Sequence, residues 1–172
     1  MNFTYKHILP VHYSPNARVW VYQSSRLFAM SEALQIEEVL EHFVANWKSH
    51  GAVVTGFATL LFGQFIVLVA DETSTTVSGC STDSSVHLIQ EIEKGFKVSL
   101  MDRQQLGFVV KEKVQVIPLY QLDYALQNNF ITEHSLYFNN TITTLQELQS
   151  NWLIPIANSW LKSKLPSHTT IN

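Results

Sequence analysis

The densest cluster of side chains capable of chemistry is the run Ser78-Gly79-Cys80-Ser81-Thr82-Asp83-Ser84-Ser85-Val86, which holds the only cysteine of the chain. The pattern predicts that a helix begins within this run. Unpaired amides and the helix dipole favour a thiolate at such a position, so Cys80 is a candidate nucleophile or redox-sensing thiol. The alternative is a small buried cysteine, with Ser81, Thr82 and Asp83 serving only to cap the helix.

The same run also has the groups of an anion site. Gly79, Ser81, Thr82, Ser84 and Ser85 offer amides and hydroxyls where a phosphate or carboxylate binds well. Asp83 opposes a strongly anionic ligand unless its side chain points away. The sequence therefore suggests a small anionic ligand as a second use of this run.

Composition narrows the class of protein. The chain has 172 residues, of which 46% are hydrophobic and 15% charged, which is typical of a folded domain with an appendage. The net charge of -3 does not suggest the basic surface with which nucleic-acid-binding proteins usually contact phosphates. A lone cysteine indicates a reducing compartment, and the apolar runs are too short for a signal peptide or a membrane helix. We expect a cytoplasmic protein without a membrane or nucleic-acid partner.

Hydrophobic periodicity predicts the order strand, helix, strand, strand, helix, strand. This order is that of the ferredoxin-like split βαβ fold, an α+β sandwich, and right-handed crossovers give the strand order 4-1-3-2. The first and third strands are apolar on both faces, as central strands should be. The predicted elements are a strand at 18–23, a helix from Ser31 to just before Gly51, strands at 53–62 and 65–70, a helix ending near Lys94, and a strand at 98–101.

The predicted core therefore spans residues 18–103, and residues 104–165 are expected to form a mixed α/β extension packed on it. Residues 1–17 are predicted to be a loosely docked arm and 166–172 a tail. If the extension leaves a sheet face open, a homodimer should cover it. Within the extension we expect a hairpin at 106–119, a short helix at 120–128, a strand at 136–138, a helix opened by the capping box Thr144–Glu147, and a last helix from Pro155.

The predicted topology brings charged side chains to the edge of the sheet that holds Cys80. These side chains are Arg18, His50, Asp102 and Arg103, whose cations would stabilise a thiolate or a bound anion. The alternative is an ordinary ion pair between Asp102 and one of the arginines. The scattered histidines lack the spacing of a metal site, and Asp83 and His87 form at most a solvated pair, so no metal or cofactor is predicted.

Several short motifs are spread over most of residues 18–161. They are Arg18–Gln23, Phe43 with Asn46-Trp47, Ser49-His50-Gly51, Ser78-Gly79-Cys80-Ser81 with Asp83–His87, Met101-Asp102-Arg103, Asn151-Trp152 and Ser159-Trp160. In these motifs the chain resembles a family of short, uncharacterised bacterial proteins, whose members are often labelled as ABC transporter ATPases. A P-loop requires Gly-x-x-x-x-Gly-Lys-Ser/Thr, which is missing here, so the resemblance implies a shared fold and site without an activity.

Two functions fit this pattern. The first is a non-enzymatic small-ligand-binding or protein-interaction module with an anion site at the start of the second helix. The second is a thiol-dependent enzyme or redox sensor that uses Cys80 with His50 or an arginine as its partner. The residues alone do not decide between a binding protein and an enzyme.

Overall fold

The computed structural model describes residues 2–77 and 79–165, apart from the side chains of Cys80 and Ser81. Ser78 and the predicted tail at 166–172 lie outside the described residues. The chain has a mixed α+β architecture and divides into two compact units. The first unit comprises residues 3–102 and 140–150, and the second comprises Asn2 with residues 103–139 and 151–165.

Helices and strands alternate irregularly along the chain. The first part of the chain forms β1 (Arg18–Gln23), α1 (Met30–Asn46), β2 (Lys48–Ser49), β3 (Ala52–Val53), β4 (Thr55–Leu61), β5 (Phe65–Asp71) and α2 (Gly79–Phe96). The later part forms β6 (Gln105–Val110), β7 (Lys113–Pro118), α3 (Leu122–Gln127), β8 (Leu136–Phe138), α4 (Leu145–Asn151) and β9 (Leu153–Pro155).

β5 is the centre of the first unit. It pairs antiparallel with both β1 and β4, and all of its residues are buried. A strand covered on both faces reads as a continuous apolar run, so the prediction of a buried central strand at 65–70 is confirmed. Phe62 and Gly63 connect β4 to β5 with φ of 55° and 63°, the left-handed pair that a type I′ hairpin turn requires.

Helices α1 and α2 cover one face of this sheet and run antiparallel to each other. Ile66 and Leu68 of β5 pack with residues of both helices. Phe28, just before α1, contacts Phe96 at the end of α2, with ring centroids 5.9 Å apart. The start of α1 therefore lies beside the end of α2, and the other two helix ends share the opposite end of the unit.

The fourth predicted strand does not form, because residues 98–101 adopt no strand structure. The Glu93 carboxylate accepts the amides of Leu100 and Met101 at 2.6 and 3.1 Å, and it thereby takes donors that a sheet ladder would use. β1 is consequently an edge strand of a three-stranded sheet, bridged at Arg18 to Thr144. Three of the four strands of a ferredoxin-like sheet are present and the fourth is missing. The ferredoxin-like topology is therefore not confirmed.

The N-terminal segment is not a loosely docked arm, as the sequence suggested. Tyr5, Leu9 and Ala17 are buried, and the Tyr5 hydroxyl donates to the Leu148 carbonyl at 2.7 Å. Burial raises the pKa of Tyr5 to about 12. Residues 3–17 therefore belong to the folded first unit. Their few apolar side chains are buried against residues that are distant in the sequence, and no local pattern predicts such contacts.

The second unit is built on a sheet of order β7-β6-β8-β9. The predicted hairpin is confirmed, with Lys111 and Glu112 in its turn at positive φ. The predicted last helix is wrong, since residues 156–158 and 160–164 form separate 3-10 turns. The Ser159 hydroxyl accepts from the Leu161 amide and donates to the Ile156 carbonyl, which ends one turn and begins the next.

Candidate functional site

The loop between β5 and α2 is organised by the buried carboxylate of Asp71, the last residue of β5. Asp71 accepts the Ser14 amide at 2.9 Å and the Thr73 amide at 3.1 Å. Burial opposes ionisation of this group, but the two amide hydrogen bonds outweigh it and hold the pKa of Asp71 below its ordinary value. Asp71 therefore fixes the start of the loop that leads into α2.

A second carboxylate holds the rest of that loop. Glu72 Oε1 accepts the Val77 amide at 2.8 Å and lies 3.9 Å from Arg18 Nη1. The Arg18 guanidinium also lies over the Trp20 ring, 5.0 Å from its centroid. Arg18 is thus tied to residues just before Gly79, as the sequence placed it, although its cation already faces Glu72.

His50 lies on a small hairpin and not at a helix C-terminus, where the sequence had put it. β2 pairs with β3, and His50 and Gly51 form the turn with φ of 50° and 83°. The Ser49 hydroxyl donates to the Thr76 carbonyl at 2.7 Å. The hairpin therefore contacts the same loop that Arg18 reaches, with His50 exposed at its tip.

The predicted anion site coincides with the first turns of α2. Gly79 and the side chains of Asp83 and Ser84 are exposed there, and Thr82 is partly buried. Ser85 is fully buried and donates to the Thr82 carbonyl at 2.7 Å, a contact that binds the helix to itself. The Cys80 backbone lies in this first turn, while the side chains of Cys80 and Ser81 lie outside the described part of the chain.

Asp102 does not lie at this end of the unit. Leu100 and Met101 are held by Glu93, near the end of α2, so Asp102 follows at the opposite end of that helix from Cys80. Arg103 belongs to the second unit. Arg18 and the hairpin of His50 therefore lie near the start of α2 and Asp102 near its end, because the returning fourth strand is missing.

A groove of about 690 Å³ lies between α1 and α2, hereafter the α1–α2 groove. Apolar side chains from both helices form part of its lining, and charged or hydrogen-bonding side chains form the rest. The lining residues are Glu38, Val39, His42, Phe43, Asn46, Trp47, Lys48, Ser84, His87, Leu88 and Glu91. Of the residues predicted to bind a ligand, Ser84 lies in this groove.

Sequence reasoning assigned most of these polar residues to solvated helix faces. The structure places Glu38, Lys48, His87 and Glu91 along one groove instead. His87 Nε2 lies 3.3 Å from Glu91 Oε1, so its ion-pair partner is this residue and not the predicted Asp83. The available signal was a pair of apolar residues, Val39 and Leu88, beside charged positions on two amphipathic helices.

Among the described residues, no group of at least three histidine, cysteine, aspartate or glutamate side chains is arranged to hold a metal ion. No helix there is both long enough and apolar enough to cross a membrane.

Comparison with known proteins gives no relative. No family model, curated protein or solved structure matches this chain. The resemblance to short bacterial proteins stays a prediction, and the chemistry of the first unit has to be argued from its own residues.

Proposed function

We propose that the chain is a non-enzymatic module that binds a small ligand or a peptide segment in the α1–α2 groove. The carrying observation is a groove of about 690 Å³ with an apolar floor and charged groups at its rim. Ligand sites commonly have volumes of about 300–1,000 Å³ and combine apolar walls with a few placed polar groups. The anion site predicted at the start of α2 adjoins the groove at Ser84, so one ligand can use both.

The partner and fold assignments that accompany this function are proposals of the same kind. A small anionic ligand, a homodimer and a cytoplasmic location are part of this proposal, and the net charge of -3 opposes a nucleic-acid partner. A ferredoxin-like origin for the first unit rests on three strands in the expected order. That fold hosts many functions, so the groove carries more weight than the topology.

Binding can be tested by NMR with a mixture of amino acids, short peptides, carboxylates and nucleotides. We expect amide shifts for Val39, Phe43 and Leu88, which line the groove. Val39→Trp should fill the groove and weaken binding at least tenfold. Met30→Trp is the matched control, because Met30 is exposed on the same helix and does not line the groove. Shifts elsewhere, or equal binding by both variants, would overturn the proposal.

The anion site has its own probe, inorganic phosphate. Titration should shift the amide of Gly79, the first residue of α2, because the amides at a helix N-terminus bind anions. The amides at the end of that helix, such as Lys94, should stay in place. Uniform or absent shifts would remove the anion site from the proposal.

The alternative is a thiol-dependent enzyme or redox sensor. Its supporting observation is that Cys80 lies in the first turn of an 18-residue helix, where the dipole favours the thiolate. Rapid alkylation of the native protein at pH 6 supports this alternative. Labelling that requires denaturation excludes it, and it leaves the binding proposal intact.

A further inference from the structure

The two ends of the α1–α2 groove carry opposite charge. Because α1 and α2 run antiparallel, Glu38 and Glu91 share the end that is farther from the start of α2. Lys48 and Ser84 share the other end, beside the first turns of α2, and the positive end of the helix dipole adds to Lys48 there. His87 also lines the groove, and its Nε2 lies 3.3 Å from Glu91 Oε1. A ligand in the groove therefore meets the Glu38 carboxylate and the Glu91 carboxylate with its His87 neighbour at one end, and the Lys48 cation at the other.

The distance between these ends follows from helix geometry. Glu38 and Asn46 are separated on α1 by about 12 Å, and Ser84 and Glu91 on α2 by about 10 Å, at a rise of about 1.5 Å per residue. An extended peptide covers about 3.3–3.6 Å per residue. A chain of roughly three residues therefore places its two termini at the two ends of the groove.

The middle of the groove suits a peptide rather than a simple charged chain. Val39, Phe43 and Leu88 provide apolar contact for a central side chain. His42 provides a hydrogen-bonding group beside it, which can pair with peptide N–H or C=O groups.

Charge discriminates against other small ligands of this length. A dianion would place one of its charges against Glu38 and Glu91, and a dication would place one against Lys48. Like charges at such distances weaken binding. A molecule with an amine at one end and a carboxylate at the other satisfies both ends.

We propose that the α1–α2 groove binds a short peptide of about three residues with both termini free. Its amine lies between Glu38 and Glu91, and its carboxylate lies against Lys48 and the first turns of α2. A central apolar side chain rests on Val39, Phe43 and Leu88. The inference rests on the proposed binding function and specifies the ligand class of that same groove.

The test is a calorimetric titration of Ala-Leu-Ala and of its N-acetylated and C-amidated forms. We expect each blocked form to bind about tenfold more weakly, which corresponds to about 1.4 kcal/mol. Glu38→Gln with Glu91→Gln should remove the penalty of acetylation, and Lys48→Met the penalty of amidation. Glu41→Gln and Lys94→Met are matched controls on the same helices outside the groove lining, and they should leave both penalties in place.

The possible failures can be told apart. If the free and blocked peptides bind equally while groove amides shift, the ligand class is wrong and the binding function stands. If peptide binding shifts amides outside the groove, this inference falls. If neither the peptides nor the wider mixture shifts groove amides, both proposals fall together.

Discussion

The two units of this chain cover their sheets in different ways. In the first unit, β5 is buried along its whole length, and two long helices pack on one face. In the second unit, β6, one of the two inner strands, is only partly buried, and the helical structure consists of the six-residue α3 and short 3-10 turns. Regular apolar burial should therefore stabilise the first unit more than the second.

The sharpest test of this difference is the same substitution in each unit. Leu68→Ala removes a fully buried side chain from β5 and should cost about 2–5 kcal/mol of unfolding free energy. Leu119→Ala removes a partly buried side chain at the edge of the second core and should cost less than half as much. Native-state hydrogen exchange on β5 and β6 measures each unit separately. Equal losses of unfolding free energy in the two variants would contradict the expected difference between the units.

Tight packing in the first unit can be tested at a glycine. A Cβ added to Gly56 would lie 2.7 Å from Trp47 Cε3, so Gly56→Ala should destabilise by about 1–3 kcal/mol through overpacking. Gly95, in the last turn of α2, has open space around the same position. Gly95→Ala should instead stabilise by about 0.5–1 kcal/mol, because alanine favours helix. Urea unfolding of both variants measures these changes in unfolding free energy. A Gly56→Ala variant as stable as the parent protein would show that the Trp47 ring moves aside.

A pair of tyrosines tests how each unit uses a buried hydroxyl. Tyr5 donates to the buried Leu148 carbonyl, whereas Tyr137 accepts from Trp160 Nε1 at 3.1 Å. Tyr5→Phe leaves a buried acceptor unpaired and should cost about 1–3 kcal/mol. Tyr137→Phe should cost about 0.5 kcal/mol, because half-exposed Trp160 can donate to water instead. Thermal unfolding in which Tyr137→Phe is the more damaging change would contradict this account.

Local patterns in the sequence predicted those parts of the fold that depend on local contacts. The apolar run of β5 identifies a central strand because burial on both faces requires it. The capping box at Thr144 is present, since Glu147 accepts the Thr144 amide and donates its own amide to the Thr144 hydroxyl. Both signals lie within a few residues of the structure that they specify.

Other parts of the fold were not predicted, for different physical reasons. The segment at 98–101 has the composition of a strand, but the Glu93 carboxylate on the preceding helix accepts the amides of Leu100 and Met101. Gly51 suits a helix C-terminus and a type I′ turn equally, because both need positive φ. The charges of Glu38 and Glu91 come to line one groove only because α1 and α2 pack side by side, which no local pattern reports.

The smallest effect concerns an exposed ion pair that joins the helix ends of the first unit. Arg26 donates to both Glu32 carboxylate oxygens, at 2.7 and 2.8 Å, and also to the Phe96 carbonyl. The Arg26 hydrogen bonds, followed by the Ala29 amide, lower the pKa of Glu32 from its ordinary value of 4.5 to about 2. The unfolded chain therefore binds a proton more readily, so the stability gained from this carboxylate is present above about pH 4.5 and is lost as the pH falls towards 2.

Urea unfolding should show Glu32→Gln slightly less stable than the parent protein at pH 7 and equal to it near pH 2. A deficit that persists at pH 2, or that is unchanged when Arg26→Gln is already present, would mean that packing at the helix ends, and not this charge pair, sets the difference.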